Sequence, residues 1–192
     1  MIMFGGFVEM WGVDHSFTLR HYIEAFSVDW VKERGILWTG TAWNSFNTTF
    51  TIALISSLPT AAIGILTAYL LTRHKFRGKN AFEFGTMLSF AIPGSVIGVS
   101  YVFAFNVPPL EITGTGIILV IAFVFRNMPV GVRAGIAAMN QLDPHLDEAS
   151  STLNASSSQT FRNVILPLLK PAITASLVFS FVRAMTAISA VI

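Results

Sequence analysis

Long apolar runs separated by short polar loops organise the chain. Residues 45–72 form one run, rich in Ile, Leu and Ala, with Pro59 and Gly64 inside it. A second covers residues 81–105 and contains Ile92-Pro93-Gly94, a third covers 115–132, and a fourth begins near Pro167 and extends to Ile192. A helix needs roughly 20 apolar residues to cross about 30 Å of hydrocarbon, so each run predicts a membrane-spanning helix. None alternates apolar with polar residues as a membrane barrel strand does. The predicted fold class is therefore all-α, a polytopic transmembrane helical bundle. Residues 1–8 are apolar but short, and no basic region precedes them. They read as the end of an upstream transmembrane helix rather than as a secretory signal. The last run stays apolar to its final residue without a cap or polar tail, so the expectation is a chain truncated at both ends.

The loops set the predicted orientation. Residues 9–43 are mixed in character and read as an extracytoplasmic segment, with a short amphipathic helix over 18–26. Trp30, Trp38 and Trp43 fit an aromatic belt at headgroup depth. The first span ends in Arg73-His74-Lys75-Phe76-Arg77-Gly78-Lys79, a basic loop that marks the cytoplasmic side. Residues 106–114 carry no Lys or Arg and belong outside, whereas Arg133 follows the third span on the inside. Residues 134–163 then lie in the cytoplasm as a polar elbow. The transmembrane domain covers residues 44–192.

Composition narrows the function classes. The chain is 53% hydrophobic and 11% charged, against about 25% charged in soluble domains. Its mean hydropathy is +0.65. A net charge of +2 gives no reason to expect nucleic acid as a partner, while lipid is an expected one. Without cysteine there is no disulfide, thiolate metal site or iron–sulfur cluster. His15, His21, His74 and His145 are scattered without ligand spacing, so no metal site is expected. No phosphate-binding loop is present: Gly78-Lys79 lacks the upstream glycine and the following hydroxyl. No triad or catalytic carboxylate pair stands out, and no catalytic residue is assigned.

The elbow carries the most specific signal. Asp143 is a strong N-cap and Pro144 suits a first helical position. Asp147 and Glu148 favour the positive helix end. Leu142, Leu146, Ala149 and Leu153 share one predicted face. Asn154 suits the left-handed residue that ends a helix, and a second short helix is expected from Ser158 to Pro167. The sequence Glu148-Ala149-Ser150, three residues, Asn154, nine residues, Val164-Ile165-Leu166-Pro167 resembles the motif E-A-A-x(3)-G-x(9)-I-x-L-P of the permease subunits of ATP-driven (ABC) importers. Ser150, Asn154 and Val164 depart from it mildly. The resemblance implies a type I permease fold and an elbow that docks on a separate ATPase subunit. Glu148, Ala149, Ser150, Asn154, Leu166 and Pro167 would be its coupling residues, and ATP would be used by that partner with no cofactor in this chain. It further implies a periplasmic solute-binding protein, a second or fused permease half, and a multi-pass place in a bacterial inner membrane. Phe90-Ala91-Ile92-Pro93-Gly94, the segment from Phe125 to Gly131, and the segment from Arg183 to Ser189 are similar to the ferric-iron branch. Relatives for 2-aminoethylphosphonate, thiamine or polyamines are the alternative substrates.

Two charges fall inside apolar runs. Arg126 lies roughly 10 Å from the inner end of its span and Arg183 about 18 Å beyond Pro171 at 1.5 Å per residue. Charges at that depth are costly and usually face water or a partner, so both are candidates for the translocation path, although Arg126 is shallow enough to snorkel. An ion-coupled secondary carrier is the alternative from another class. It needs mid-membrane acidic residues, and the one carboxylate in the runs, Glu83, sits near a span end.

Overall fold

The computed structural model describes residues 5–10, 12–31 and 35–187. The chain divides into two compact units, Met1–Thr51 and Ile52–Ile192.

The first unit contains two small antiparallel hairpins that the sequence reading did not anticipate. Strand β1 (Val8–Met10) pairs with β2 (Asp14–Phe17), and β3 (Val28–Val31) pairs with β4 (Gly35–Trp38). Helix α1 (Arg20–Ala25) lies between them, inside the helix expected over 18–26. Aromatic contacts hold these short elements: Phe7 stacks on Phe17 at 5.7 Å and meets Tyr22 at 4.9 Å, and Trp38 meets Trp43 edge-on at 4.3 Å. Of residues 1–8, expected to close an upstream span, Met1–Phe4 lie outside the described residues and Val8 opens β1.

The second unit is helical. Helix α2 runs Thr41–Arg73, beginning in the first unit, with Pro59 inside it. Helices α3 (Lys79–Ala91) and α4 (Gly94–Phe105) follow, then α5 (Gly116–Met139). The elbow helix α6 (His145–Thr152), helix α7 (Ser157–Leu168) and helix α8 (Lys170–Met185) complete the described chain. Helices α2 and α5 are each long and apolar enough to cross a membrane, and the pairs α3–α4 and α7–α8 reach that length as bent units. Large apolar side chains such as Leu54, Leu58, Leu66, Phe103 and Val178 are exposed along these helices. That outer surface suits lipid, where only self-satisfied backbones can span.

Two of the expected spans differ from straight crossings. The run 81–105 bends by 107° between α3 and α4. Pro93 explains it: proline disfavours the α conformation in the residue before it, and Ile92 is extended at φ −82° and ψ 132°. The last run bends by 72° between α7 and α8, so its membrane-directed helix starts at Lys170 rather than Pro167. There the chain widens into a π-helical turn over Phe161–Ile165, with the Leu166 N–H bonding the Phe161 carbonyl. Pro167 has no N–H to continue an α ladder. The third helix also outruns its expected end at residue 132, continuing to Met139, because Arg133 and the residues after it are compatible with helix.

Helix α5 is the central element, with α3, α4 and α8 packed on it. One apolar cluster, near the elbow, joins Ile65 of α2, Met139 of α5, Ile165, Leu169 and Ala172. Another joins Ala53, Phe123 and Ala184. Between them small residues let backbones approach closely: a Cβ on Gly64 would lie 3.0 Å from the Gly131 Cα, and one on Gly131 would lie 2.6 Å from Ser176 Oγ. Hydrophobic contact gains little between helices in lipid, so this close packing carries the association. Ser56 and Thr60, both buried here, donate to the carbonyls of Ala53 and Ser56 at 3.1 and 2.6 Å. Their hydroxyls are thereby satisfied without leaving the helix.

Candidate functional site: the elbow and the embedded arginines

The elbow is built from local rules. The Asp143 carboxylate accepts the His145 N–H at 2.9 Å, and Pro144 takes helical angles just before α6. Asp147 and Glu148 occupy the first turn. The helix closes as a Schellman motif: Asn154 is left-handed at φ 60°, its N–H bonds the Ser151 carbonyl at 3.0 Å, and the Ala155 N–H bonds the Ser150 carbonyl at 3.2 Å. Helix α7 then starts with a capping box, Ser156 N–H to Gln159 Oε1 at 2.8 Å and Gln159 N–H to Ser156 Oγ at 3.4 Å. Across the turn Ser150 and Thr160 share a buried hydroxyl hydrogen bond of 2.7 Å. These bonds satisfy the N–H groups from Leu153 to Ser156 locally, so the two helices form one hook.

The structure divides the six residues expected to couple. Glu148, Ala149 and Asn154 are exposed on the hook, and Pro167 is exposed at the far end of α7. Ser150 is buried against Thr160, and Leu166 packs on the inner apolar cluster. Ser150 ties α6 to α7, and Leu166 joins α7 to the cluster that includes Ile65 of α2 and Met139 of α5. The predicted apolar face is corrected here: Leu142 and Leu146 are half-buried, but Ala149 is exposed and Leu153 is 82% exposed. Ser150, not Leu153, meets the neighbouring helix, through its hydroxyl bond to Thr160. The tip is thus an acidic and apolar surface that the described residues leave uncovered. The His145 ring hydrogen-bonds Glu148 Oε2 at 3.0 Å, which together with the charge of Asp143 raises the His145 pKa above its ordinary value.

Sequence reasoning missed the tie between the hook and the first span. Arg73, the last residue of α2, places Nε 3.1 Å from Asp147 Oδ2, with 16% and 35% of the two side chains exposed. The contact is an ion pair without hydrogen-bond alignment, and Arg73 Nε and Nη2 are buried without a hydrogen-bond partner among the described residues. Tyr69 reinforces it by packing on Phe161 at 4.6 Å. A polar cavity of about 200 Å³ lies beside the pair, lined by Tyr69, Arg73, His74, Asp147, Ser151 and Ser157 among others. Asp147 carried a sufficient local explanation in helix-start electrostatics, and nothing in the spacing linked it to a residue 74 positions earlier.

The two arginines of the apolar runs both lie well inside their helices. Arg126 lies ten residues into α5, about 15 Å from its start, and Arg183 thirteen residues into α8, about 20 Å from its start at the opposite side. Phe123 and Ala184, their near neighbours in sequence, share one apolar cluster. The Arg183 guanidinium lies 6.0 Å from the Phe90 ring and 5.9 Å from Phe179. Ser89, beside Phe90, donates to the Phe125 carbonyl at 2.8 Å. Arg126 Nη1 is buried without a hydrogen-bond partner among the described residues. Below Phe90 a cavity of about 310 Å³ opens between α3 and α5, lined by Met87, Phe90, Ala91, Pro129, Val130 and Arg133.

Two helices long and apolar enough to cross a membrane, and two bent pairs that reach that length, define a class: a helical membrane protein. The chain belongs to the family of binding-protein-dependent transport system inner membrane components, whose profile matches residues 60–192. The ferric transport system permease protein FbpB of Actinobacillus pleuropneumoniae is 48% identical over 191 residues, covering the whole of this chain and 27% of that protein. The Haemophilus influenzae protein named "Putative ferric transport system permease protein FbpB 1" is 49% identical over 191 residues, again covering the whole chain and 29% of that protein. The sulfate transport system permease protein CysT of Salmonella typhimurium is 31% identical over 158 residues, 77% of this chain and 57% of that protein. The chain therefore spans less than a third of the length of the two FbpB relatives.

Proposed function

We propose that this chain is part of the permease of an ATP-driven importer that carries ferric iron delivered by a periplasmic binding protein. Near-half identity to two ferric transport permeases over the whole chain favours iron over sulfate, where identity falls to 31%. The observation that carries the mechanism is the hook with its uncovered tip. Glu148, Ala149 and Asn154 would dock on a separate ATPase subunit, which alone binds and hydrolyses ATP. Closure of the ATPase pair displaces the tip. Because α6 and α7 are locked by the Schellman motif, the capping box and the Ser150–Thr160 bond, displacement passes to α7 instead of dissipating in a loop. Two routes lead onward: through Leu166 and the 72° bend into α8, and through the Arg73–Asp147 pair into α2. Rotation of α8 against α5 then exposes the path alternately to either side, with a second permease half, fused or separate, closing it. The segment 9–43 and the loop 106–114 would face the binding protein.

The test is Glu148→Arg in the full-length permease. It is expected to abolish co-purification of the ATPase subunit and ATP-driven uptake of Fe(III) into vesicles, while the permease still inserts. Intact uptake in that variant would remove the hook from the coupling path.

A further inference from the structure

Arg126 and Arg133 lie on α5, which packs on α3 and α4, and Arg183 of α8 lies beside Phe90 of α3. Arg126 and Arg133 are seven residues apart on α5, close to two full turns, so they lie on one face about 10 Å apart. Arg133 lines the cavity of about 310 Å³ at one side and Phe90 lines it at another. The Arg183 guanidinium lies 6.0 Å from the Phe90 ring and does not line that cavity. Arg183 and its neighbour Val182 are exposed in this chain, at a depth where facing lipid is expensive. Arg126 keeps one buried guanidinium nitrogen without a hydrogen-bond partner among the described residues. A fourth positive element adjoins them: α4 begins at Gly94, immediately past the 107° break, with no side chain capping its first N–H groups. Free helix N-termini at breaks in membrane helices present partial positive charge to anions. Against these stands almost no negative charge. Helices α2, α4, α5 and α8 contain no Asp or Glu, and α3 contains Glu83 alone, one turn from its cytoplasmic end.

A path with this charge repels a bare trivalent cation and attracts oxyanions. We propose that the solute crosses as a net anion, and that Arg183, Arg126 and Arg133 form a graded series of contacts for it around the cavity between α3 and α5. For a ferric importer this means Fe(III) still wrapped in enough carboxylate or oxyanion ligands to be negative overall. Guanidinium groups would hold the outward-facing ligand oxygens by charge-assisted hydrogen bonds, and Phe90 would separate the Arg183 position from the cavity that Arg133 lines. This inference rests on the importer reading above and names the chemical form of its cargo.

The experiment reconstitutes the full-length permease with its ATPase in liposomes and supplies the binding protein loaded with radiolabelled Fe(III). Uptake, stimulated ATP hydrolysis and the electrical current across the membrane are recorded together. The expected current moves negative charge in the direction of the solute. Arg183→Gln is expected to cut uptake at least tenfold and Arg183→Lys to keep at least a third of it. Inward positive charge with iron uptake, or full uptake by Arg183→Gln, would overturn the anionic path while leaving the importer reading standing. No ATP-dependent uptake by the unaltered protein would remove the importer reading and this inference with it. The sign of the unaltered protein's current decides the matter even where a variant fails to assemble.

Discussion

Breaking the Arg73–Asp147 pair is expected to loosen the hook from the first span by a measurable and non-additive amount. Unit charges 3.1 Å apart attract by about 5 kcal/mol at an effective dielectric of about 20. Desolvation of both groups and solvent screening at Asp147, which is 35% exposed, reduce the coupling to about 1–2 kcal/mol. The two single substitutions should differ. Asp147→Asn strands Arg73, which is only 16% exposed and already has unpartnered nitrogens. Arg73→Gln strands the more solvated carboxylate, and losing the partner of a buried charge costs more than losing both. Hydrogen exchange of the α6 amides reads the local opening free energy directly. With a factor of ten for each 1.4 kcal/mol, exchange should accelerate about 5–30-fold in Asp147→Asn, less in Arg73→Gln, and no further in the double variant. Strictly additive acceleration, or none in either single variant, would refute the pair as a tie between α2 and the hook.

Asn154→Val forces a β-branched residue into the left-handed position at φ 60° and should destabilise the hook by about 1–3 kcal/mol, whereas Asn154→Gly should be neutral or stabilising; thermal unfolding of the detergent-solubilised protein measures both. Gly131→Val places methyl groups where a Cβ alone would meet Ser176 Oγ at 2.6 Å, and overpacking of that crossing should cost about 1–3 kcal/mol in the same assay. The His145 pKa is raised by its hydrogen bond to Glu148, so the contact is fully present below the ordinary histidine range and is lost as pH rises through the raised value. Glu148→Gln should lower the His145 titration midpoint followed by NMR, and an unchanged midpoint would disprove the contact.

What the sequence settled and what folding decided divide along a physical line. Hydrophobic run length is a sum over neighbours in the chain, so the helical membrane class was readable without a structure. The hook was readable too, since caps, left-handed termini and helix-start charges act within one turn, as Asn154 and Asp143 show. The hairpins of residues 8–38 escaped notice because their strands are three or four residues long, too short for alternation to register. Which face of α6 is covered depended on the Ser150–Thr160 bond between helices, and the size of the bends at Pro93 and Leu169 on what the flanking helices pack against. The Arg73–Asp147 pair, the cluster of Phe123 with Ala184, and the contact of Gly64 with Gly131 join residues tens of positions apart. No local pattern encodes such partners; they are fixed only when the helices pack, because each is chosen by the shape and charge of a surface the chain has not yet made.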